Sequence, residues 1–191
     1  MSTRVAQWPG GLFVFASLRR ARGRRLAAHA AYGRIVERAR APDFYLRAGV
    51  PDTVDGRFEL LALHAFLVLN RLKREHGASA SFAQELFDTM FADLDQTLRE
   101  MGAGDLGVGP RVKAMARGFY GRIAAYGRGL DNEVELEAAL RRNLYGTVSG
   151  IDEAAVAGMA RYVRRQAAAL AALPLATLLE GDVAFAALEL A

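Results

Sequence analysis

Three groupings of residues in this chain could support chemistry, and each needs a particular setting to do so. The first is the stretch GAGDLG, Gly102 to Gly107, which satisfies the G-x-G-x-x-G pattern. In a dinucleotide site such glycines follow a strand, open a helix and let backbone close on a pyrophosphate. The second is the set of carboxylates and imidazoles. In a helical bundle these bind metal when Glu-x-x-His pairs aim inward. Glu59 and His64 stand five residues apart, about 140° around a helix, so they diverge. Asp93 and Asp95 diverge as well, and His29, His64 and His76 fall on separate segments without ligand spacing. The third is RRARGRR, in which Arg19, Arg20, Arg22, Arg24 and Arg25 carry five positive charges with no acid among them. Such a cluster suits RNA phosphates or an anionic leaflet. Without Cys there is no thiol nucleophile, disulfide, iron–sulfur cluster or Cys-type zinc site. No Ser or Thr sits in a nucleophile elbow. The residues therefore predict no catalytic set, no bound cofactor and no metal.

Which of these groups meet depends on the elements that carry them. The chain has 191 residues, 52% hydrophobic and 24% charged, the balance of a globular domain. Its formal net charge is +4, and 23 of its 25 basic residues are Arg. The apolar run GLFVFASL is too short to cross a bilayer, and its basic cluster follows it, unlike a secretory signal.

Helical periodicity dominates, with no persuasive strand. The fold class predicted is an all-α, single-domain bundle of about six to seven helices. Residues 1–23 read as a basic, flexible N-terminal segment, 24–173 as the helical domain, and 174–191 as an apolar tail that either packs back or offers a binding strip. The first helix is expected to start after Ser17 or Gly23, with Leu26, Ala30, Ile35, Val36 and Ala39 inward, and to stop before Pro42. A short piece with Gly49 as its cap follows. Asp52, Thr53 and Asp55 are N-cap candidates for a helix apolar on nearly every side from Phe58 to Leu69, hence central, and ended by Gly77. Ser81 and Gln84 suggest a capping box for an acidic amphipathic helix. Pro110 suits the first turn of a basic one. Asp131 or Asn132, and Ser149 to Asp152, mark two further starts.

This order answers the glycine motif. It joins an acidic helix to a basic one, no strand precedes it, and its expected role is a turn in which Asp105 caps or bonds loop amides. Gly118, Gly121 and Gly127, interleaved with Phe119, Tyr120 and Tyr126, predict close helix packing or a shallow aromatic groove. His64 is expected to be a core histidine with one partner.

Two long phrases are more specific. YGRIVERARAPDFYLRAGVPDTVDGRFELLALHAFLVLNRLK and LFDTMFADLDQTLREMGAGDLGVGPRVKAMARGFYGRIAAY resemble the ubiquinol–cytochrome c chaperone family, over about Tyr32 to Tyr145. GVPDTVDGRFELLALH and LREMGAGDL carry most of the resemblance. The family pattern has Val where Ala103 stands, a small polar residue at Gly107 and a basic residue at Pro110, so this chain departs from it at three positions.

The resemblance implies a non-catalytic assembly factor of ubiquinol–cytochrome c reductase (respiratory complex III). It implies that newly made cytochrome b is a partner, with a small helper subunit and the ribosome as further ones, and peripheral membrane association. Asp52, Asp55, Arg57, Arg99, Glu100, Asp105 and Arg122 lie in the matching phrases, and with Phe119, Tyr120 and Tyr126 form the candidate client-binding set. They either touch a client or fix helix ends and loops. Arg19, Arg20, Arg22, Arg24 and Arg25 form the candidate membrane- or RNA-binding set. The expected location is the bacterial cytoplasm at the inner membrane, with the mitochondrial matrix as the alternative. Two competing readings are a peripheral membrane or ribosome-binding adaptor, and an enzyme acting on an anionic or quinone-like substrate in the helical body.

Overall fold

Apolar stripes separated by capping residues fold into helices that bury one another. The computed structural model describes residues 10–100 and 105–190, with side chains described over 18–100 and 108–190. Helix α1 spans Gly10–Ala39, α2 Asp43–Leu46, α3 Val54–Lys73, α4 His76–Glu100, α5 Asp105–Asp131, α6 Glu133–Asn143, α7 Glu153–Ala172 and α8 Leu175–Leu179. Six long helices and two short ones, with no strand among the described residues, make the all-α single-domain bundle that periodicity predicts.

Helix α3 is the hub. Leu60, Leu63, Phe66 and Val68 are fully buried, and α3 packs against α1, α4, α5 and α7. An all-round apolar helix has no solvent face to spare, which is why it lies at the centre. Helices α1 and α4 run parallel: Arg24 pairs with Glu85, and Tyr32 bonds Asp93, eight residues further along each helix. Helix α5 returns antiparallel to α4, matching Phe87 with Tyr120 and Phe91 with Phe119.

Several expected boundaries move. Helix α1 begins at Gly10, ahead of the expected start after Ser17 or Gly23, so residues 10–23 are helical. Gly23 faces open space, where the loss of helix propensity, about 1 kcal/mol, does not stop a helix held on both sides. The buried stripe of α1 is Ala28, Ala31, Tyr32, Ile35 and Ala39, whereas Leu26 and Ala30 are exposed. Gly77 lies inside α4 and does not end α3. The turn between them is closed by Ser79, whose Oγ donates to the carbonyl of Leu72 (2.6 Å) and to that of Glu75. Ser81 and Gln84 are consequently mid-helix, and Gln84 bonds Asp88 instead of capping. Pro110 sits just past the first turn of α5, not in it. Thr53, Asn132 and Asp152 cap α3, α6 and α7.

The C-terminal segment packs back on the body. Gly181, at φ +85°, turns the chain where an added Cβ would lie 2.4 Å from the Ala27 carbonyl oxygen. Val183 and Leu188 beyond it are buried, and Gln166 exchanges two hydrogen bonds with the backbone of Ala186. Arg161 and Arg165 donate to the carbonyls of Leu190 and Glu189. These bonds occupy backbone groups of a segment without regular secondary structure, which otherwise would lack partners.

Candidate functional site

The N-terminus of α3 sets the site. Thr53 Oγ1 accepts the Gly56 N–H at 3.1 Å, and Gly56 sits so close to Pro51 that a Cβ would lie 2.0 Å from its carbonyl oxygen. This tight entry leaves Val54 largely exposed and Phe58 half-buried at the edge of the core. Leu98 near the end of α4 and Met115 on α5 are half-buried beside them. Around these four residues lie two adjoining hollows. The smaller, about 210 Å³, runs between α1 and α4 over Val36, Leu61 and Leu94. The larger, about 630 Å³, opens toward α6 at Asn143 and Leu144. Together they form a cleft with a largely apolar floor, the kind of surface that rarely stays uncovered without a partner.

Charge borders that floor. Glu59, one residue beyond Phe58, is buried and accepts two bonds from the Arg122 guanidinium, Nε at 2.6 Å and Nη2. The same guanidinium lies 5.4 Å from the Phe58 ring centroid. Its carboxylate partner raises the Arg122 pKa above the ordinary value for arginine. Gly118 leaves room for this side chain, since a Cβ there would approach Arg122 Nη1 to 2.7 Å. Asp52 binds Arg57 at 2.7 Å, and that bond holds the Asp52 carboxyl below the usual carboxylate range. The Tyr32 hydroxyl donates to Asp93 at 2.7 Å; burial, then the neighbouring carboxylate, push its pKa up. Arg40, Arg111 and Arg142 also line the cleft, are exposed and make no ion pair among the described residues.

The structure brings some of the predicted residues to this cleft and leaves others elsewhere. Asp55, Arg57 and Arg122 line it, and Asp52 reaches it through Arg57. Arg99 pairs with Asp95, and Glu100 accepts from Gln96, both on the outer side of α4 next to Leu98. The Asp105 side chain lies outside the described residues, as do Gly102 to Gly104 of the glycine motif; Asp105 is the first residue of α5.

The aromatic trio separates. Phe119 and Tyr126, seven apart and on one face, are fully buried, while Tyr120 is 59% exposed and stacks on Phe87 at 5.6 Å. Phe119 and Tyr126 are therefore core, because a helix turns about 100° per residue and cannot present all three to one groove. Burial raises the Tyr126 pKa. Gly121 and Gly127 meet nothing within 4 Å, so close packing does not explain them; the close approach is at Gly129, 2.6 Å from the Leu136 backbone.

Of the N-terminal cations, Arg24 and Arg25 bind Glu85, at 3.6 and 3.4 Å, which places them in the α1–α4 contact. Arg19, Arg20 and Arg22 are exposed on α1.

A second polar centre is enclosed on the other side of α3. His64 is fully buried, with Nδ1 2.7 Å from the Leu60 carbonyl and Nε2 2.8 Å from the Tyr162 hydroxyl. A carbonyl only accepts, which assigns the proton to Nδ1 and makes Nε2 the acceptor of the Tyr162 O–H. The Tyr162 oxygen in turn accepts from Arg38 Nε at 2.9 Å. Burial pushes the His64 pKa down to about 4, so the ring is neutral. Phe44 and Phe185 meet it edge to face at 5.3 and 5.2 Å. His64 is thus a core histidine with two partners, linking α1, α3, α7 and the C-terminal segment.

Among the described residues no group of three or more His, Cys, Asp or Glu is placed to hold a metal ion. No helix among them is long and apolar enough to cross a membrane. The cleft floor was not legible as a site. Phe58, Leu98 and Met115 read as parts of core stripes, and only their places at the stripe margins distinguish them. Glu59 carried a signal, a lone carboxylate at the head of an apolar run, but not the identity of its partner.

The sequence profile of the family described as "Ubiquinol-cytochrome C chaperone" matches residues 46–185. The chain is 29% identical over 144 residues to the Xenopus laevis ubiquinol-cytochrome-c reductase complex assembly factor 1, covering 74% of this chain and 71% of that protein. It is 29% identical over 143 residues to the Mus musculus counterpart, of which the match spans 48%. It spans 48% of the Homo sapiens one as well, so the match covers about half the length of these mammalian relatives. The crystal structure of the Cbp3 homolog from Brucella abortus superimposes with a TM-score of 0.81 at 36% identity, over 92% of this chain and 97% of that one.

Proposed function

This chain belongs to the ubiquinol-cytochrome C chaperone family, and from that premise we propose that it is a non-catalytic assembly chaperone for ubiquinol–cytochrome c reductase that binds newly synthesised cytochrome b. The observation that supports the reading is the uncovered apolar cleft around Val54, Phe58, Leu98 and Met115, bordered by charged side chains. Such a surface can shield an apolar segment before that segment finds its place in a membrane complex. Its polar groups are paired with one another or stand at the rim, and do not converge on one point as reacting groups must.

Within this reading Asp55, Arg57 and Arg122 act at the cleft. Arg122 does so by keeping α3 and α5 in register through Glu59, and Asp52 by holding Arg57. The proposed location is the bacterial cytoplasm at the inner membrane, with ribosome and a small helper subunit as further partners.

The test is an in-cell pull-down of the tagged protein after brief crosslinking, with translation running or stopped. Recovery of cytochrome b that depends on ongoing translation is the expected result. Recovery of ribosomes or lipid without cytochrome b overturns the client assignment and favours an adaptor acting through Arg19, Arg20 and Arg22.

A further inference from the structure

The cleft is apolar along its floor and carries an excess of positive charge at its rim. Five arginines line it against the carboxylates of Asp55, Glu59 and Asp93. Pairing within the protein removes some of these charges. Glu59 neutralises Arg122 and Asp52 neutralises Arg57, whereas Asp93, which accepts from the neutral Tyr32 hydroxyl, keeps its charge. What remains is Arg40 in the turn just past α1, Arg111 on α5 and Arg142 on α6, all exposed and without an ion pair among the described residues. They stand on three different segments around one floor. The carboxylates left opposite them are Asp55 and Asp93, both exposed, so the three guanidinium groups keep an excess of positive charge. Guanidinium groups of this kind suit carboxylates, which they bind in a planar fork. Long Arg stems also cover apolar surface while their heads reach outward.

We infer that the cleft selects its occupant by charge: it takes an amphipathic helical segment whose apolar face fills the floor over Phe58 and Met115 and whose borders carry carboxylates that meet Arg40, Arg111 and Arg142. The inference rests on the chaperone reading and specifies the client segment by its chemistry. A purely apolar segment fills the floor but leaves three guanidinium groups unpaired beside a desolvated surface. A basic segment places like charges together, which is how an interface rejects a wrong partner. Carboxylate borders satisfy both requirements.

The test uses the full chain and three labelled synthetic helical peptides with one shared Leu/Phe face, bordered by Glu, by Gln or by Lys, in fluorescence anisotropy at low and moderate salt. The Glu peptide should bind at least about tenfold more tightly than the Lys peptide, with the gap narrowing as salt is raised. The triple variant Arg40→Glu/Arg111→Glu/Arg142→Glu should reverse the order, and Met115→Glu should weaken all three peptides. Circular dichroism on each variant confirms that it is folded; if the triple variant is not, the single Arg111→Glu should still reduce the preference. Equal binding of the three peptides, or a preference that survives charge reversal, overturns the inference. Translation-dependent recovery of cytochrome b by the folded triple variant at wild-type level also overturns it, while leaving the chaperone reading intact. Charge-selective peptide binding without cytochrome b recovery by the wild type does the opposite.

Discussion

Replacing Arg122 by Met separates a structural role from a client-contacting one. The side chain of Glu59 is 8% exposed and that of Arg122 21%, so the pair is largely removed from water. Removing one member of a fully buried ion pair costs about 3–5 kcal/mol, because the remaining charge stays buried without compensation. Arg122 is a fifth exposed and the adjoining hollow admits solvent, so screening reduces the expected loss to about 2–3 kcal/mol. For a domain of this length that lowers Tm by about 4–12 °C. The double variant Glu59→Leu/Arg122→Met carries no stranded charge and should recover most of the loss, since apolar isosteres often match a buried pair. Urea unfolding monitored by circular dichroism measures all three proteins, and the two variants serve in the cytochrome b pull-down. If the pair holds α3 to α5, the double variant is stable and still recovers client. A loss below about 1 kcal/mol in the single variant, or a double variant no more stable than the single, refutes the reasoning. A stable double variant that recovers no client would instead make Arg122 a contact residue.

Two other measurements probe the frame of the cleft. The His64 pKa is depressed from the ordinary 6.5 to about 4 by burial, so the unfolded chain takes up a proton that the folded one refuses. Stability is therefore fully present above pH 6.5 and falls between pH 6.5 and 4, by about 3 kcal/mol in total; His64→Gln should flatten this part of the urea-derived stability profile, and an unchanged slope there rules His64 out as its source. Gly56→Ala forces a Cβ within 2.0 Å of the Pro51 carbonyl oxygen, a backbone atom, and should cost upwards of about 2 kcal/mol in chemical denaturation; a variant as stable as wild type would mean that the entry to α3 yields freely.

The cap residues show how far local sequence reaches. Thr53, Asn132 and Asp152, each one of the candidates for its helix start, cap α3, α6 and α7, because a side chain that accepts a backbone N–H acts within three residues. The failures show where local signals are outweighed. Gly77 and Ser81 carry stop and start signals, yet Ser79 closes the turn and α4 runs through both. Ser17 and Gly23 similarly read as alternative points after which the first helix starts, and α1 begins before both, at Gly10. At Gly77 side-chain hydrogen bonds from Ser79, and at Gly23 the packing of α1 on α3 and α4, outweigh a propensity difference of about 1 kcal/mol.

The sequence by itself determined the all-α class, the central position of α3, the exclusion of Cys chemistry, and the family to which the chain belongs, through phrases such as GVPDTVDGRFELLALH. These follow from periodicity, composition and contiguous residues, all of which are one-dimensional. The tertiary structure alone decided that Glu59 meets Arg122 across 63 positions, that His64 meets Tyr162 across 98, and that Phe119 and Tyr126 are core while Tyr120 is surface. It alone decided, too, that Arg40, Arg111 and Arg142 surround one apolar floor. A side chain's partner is set by the rotation and crossing of whole helices, which depend on how every stripe in the bundle is buried together. No window of sequence holds that information.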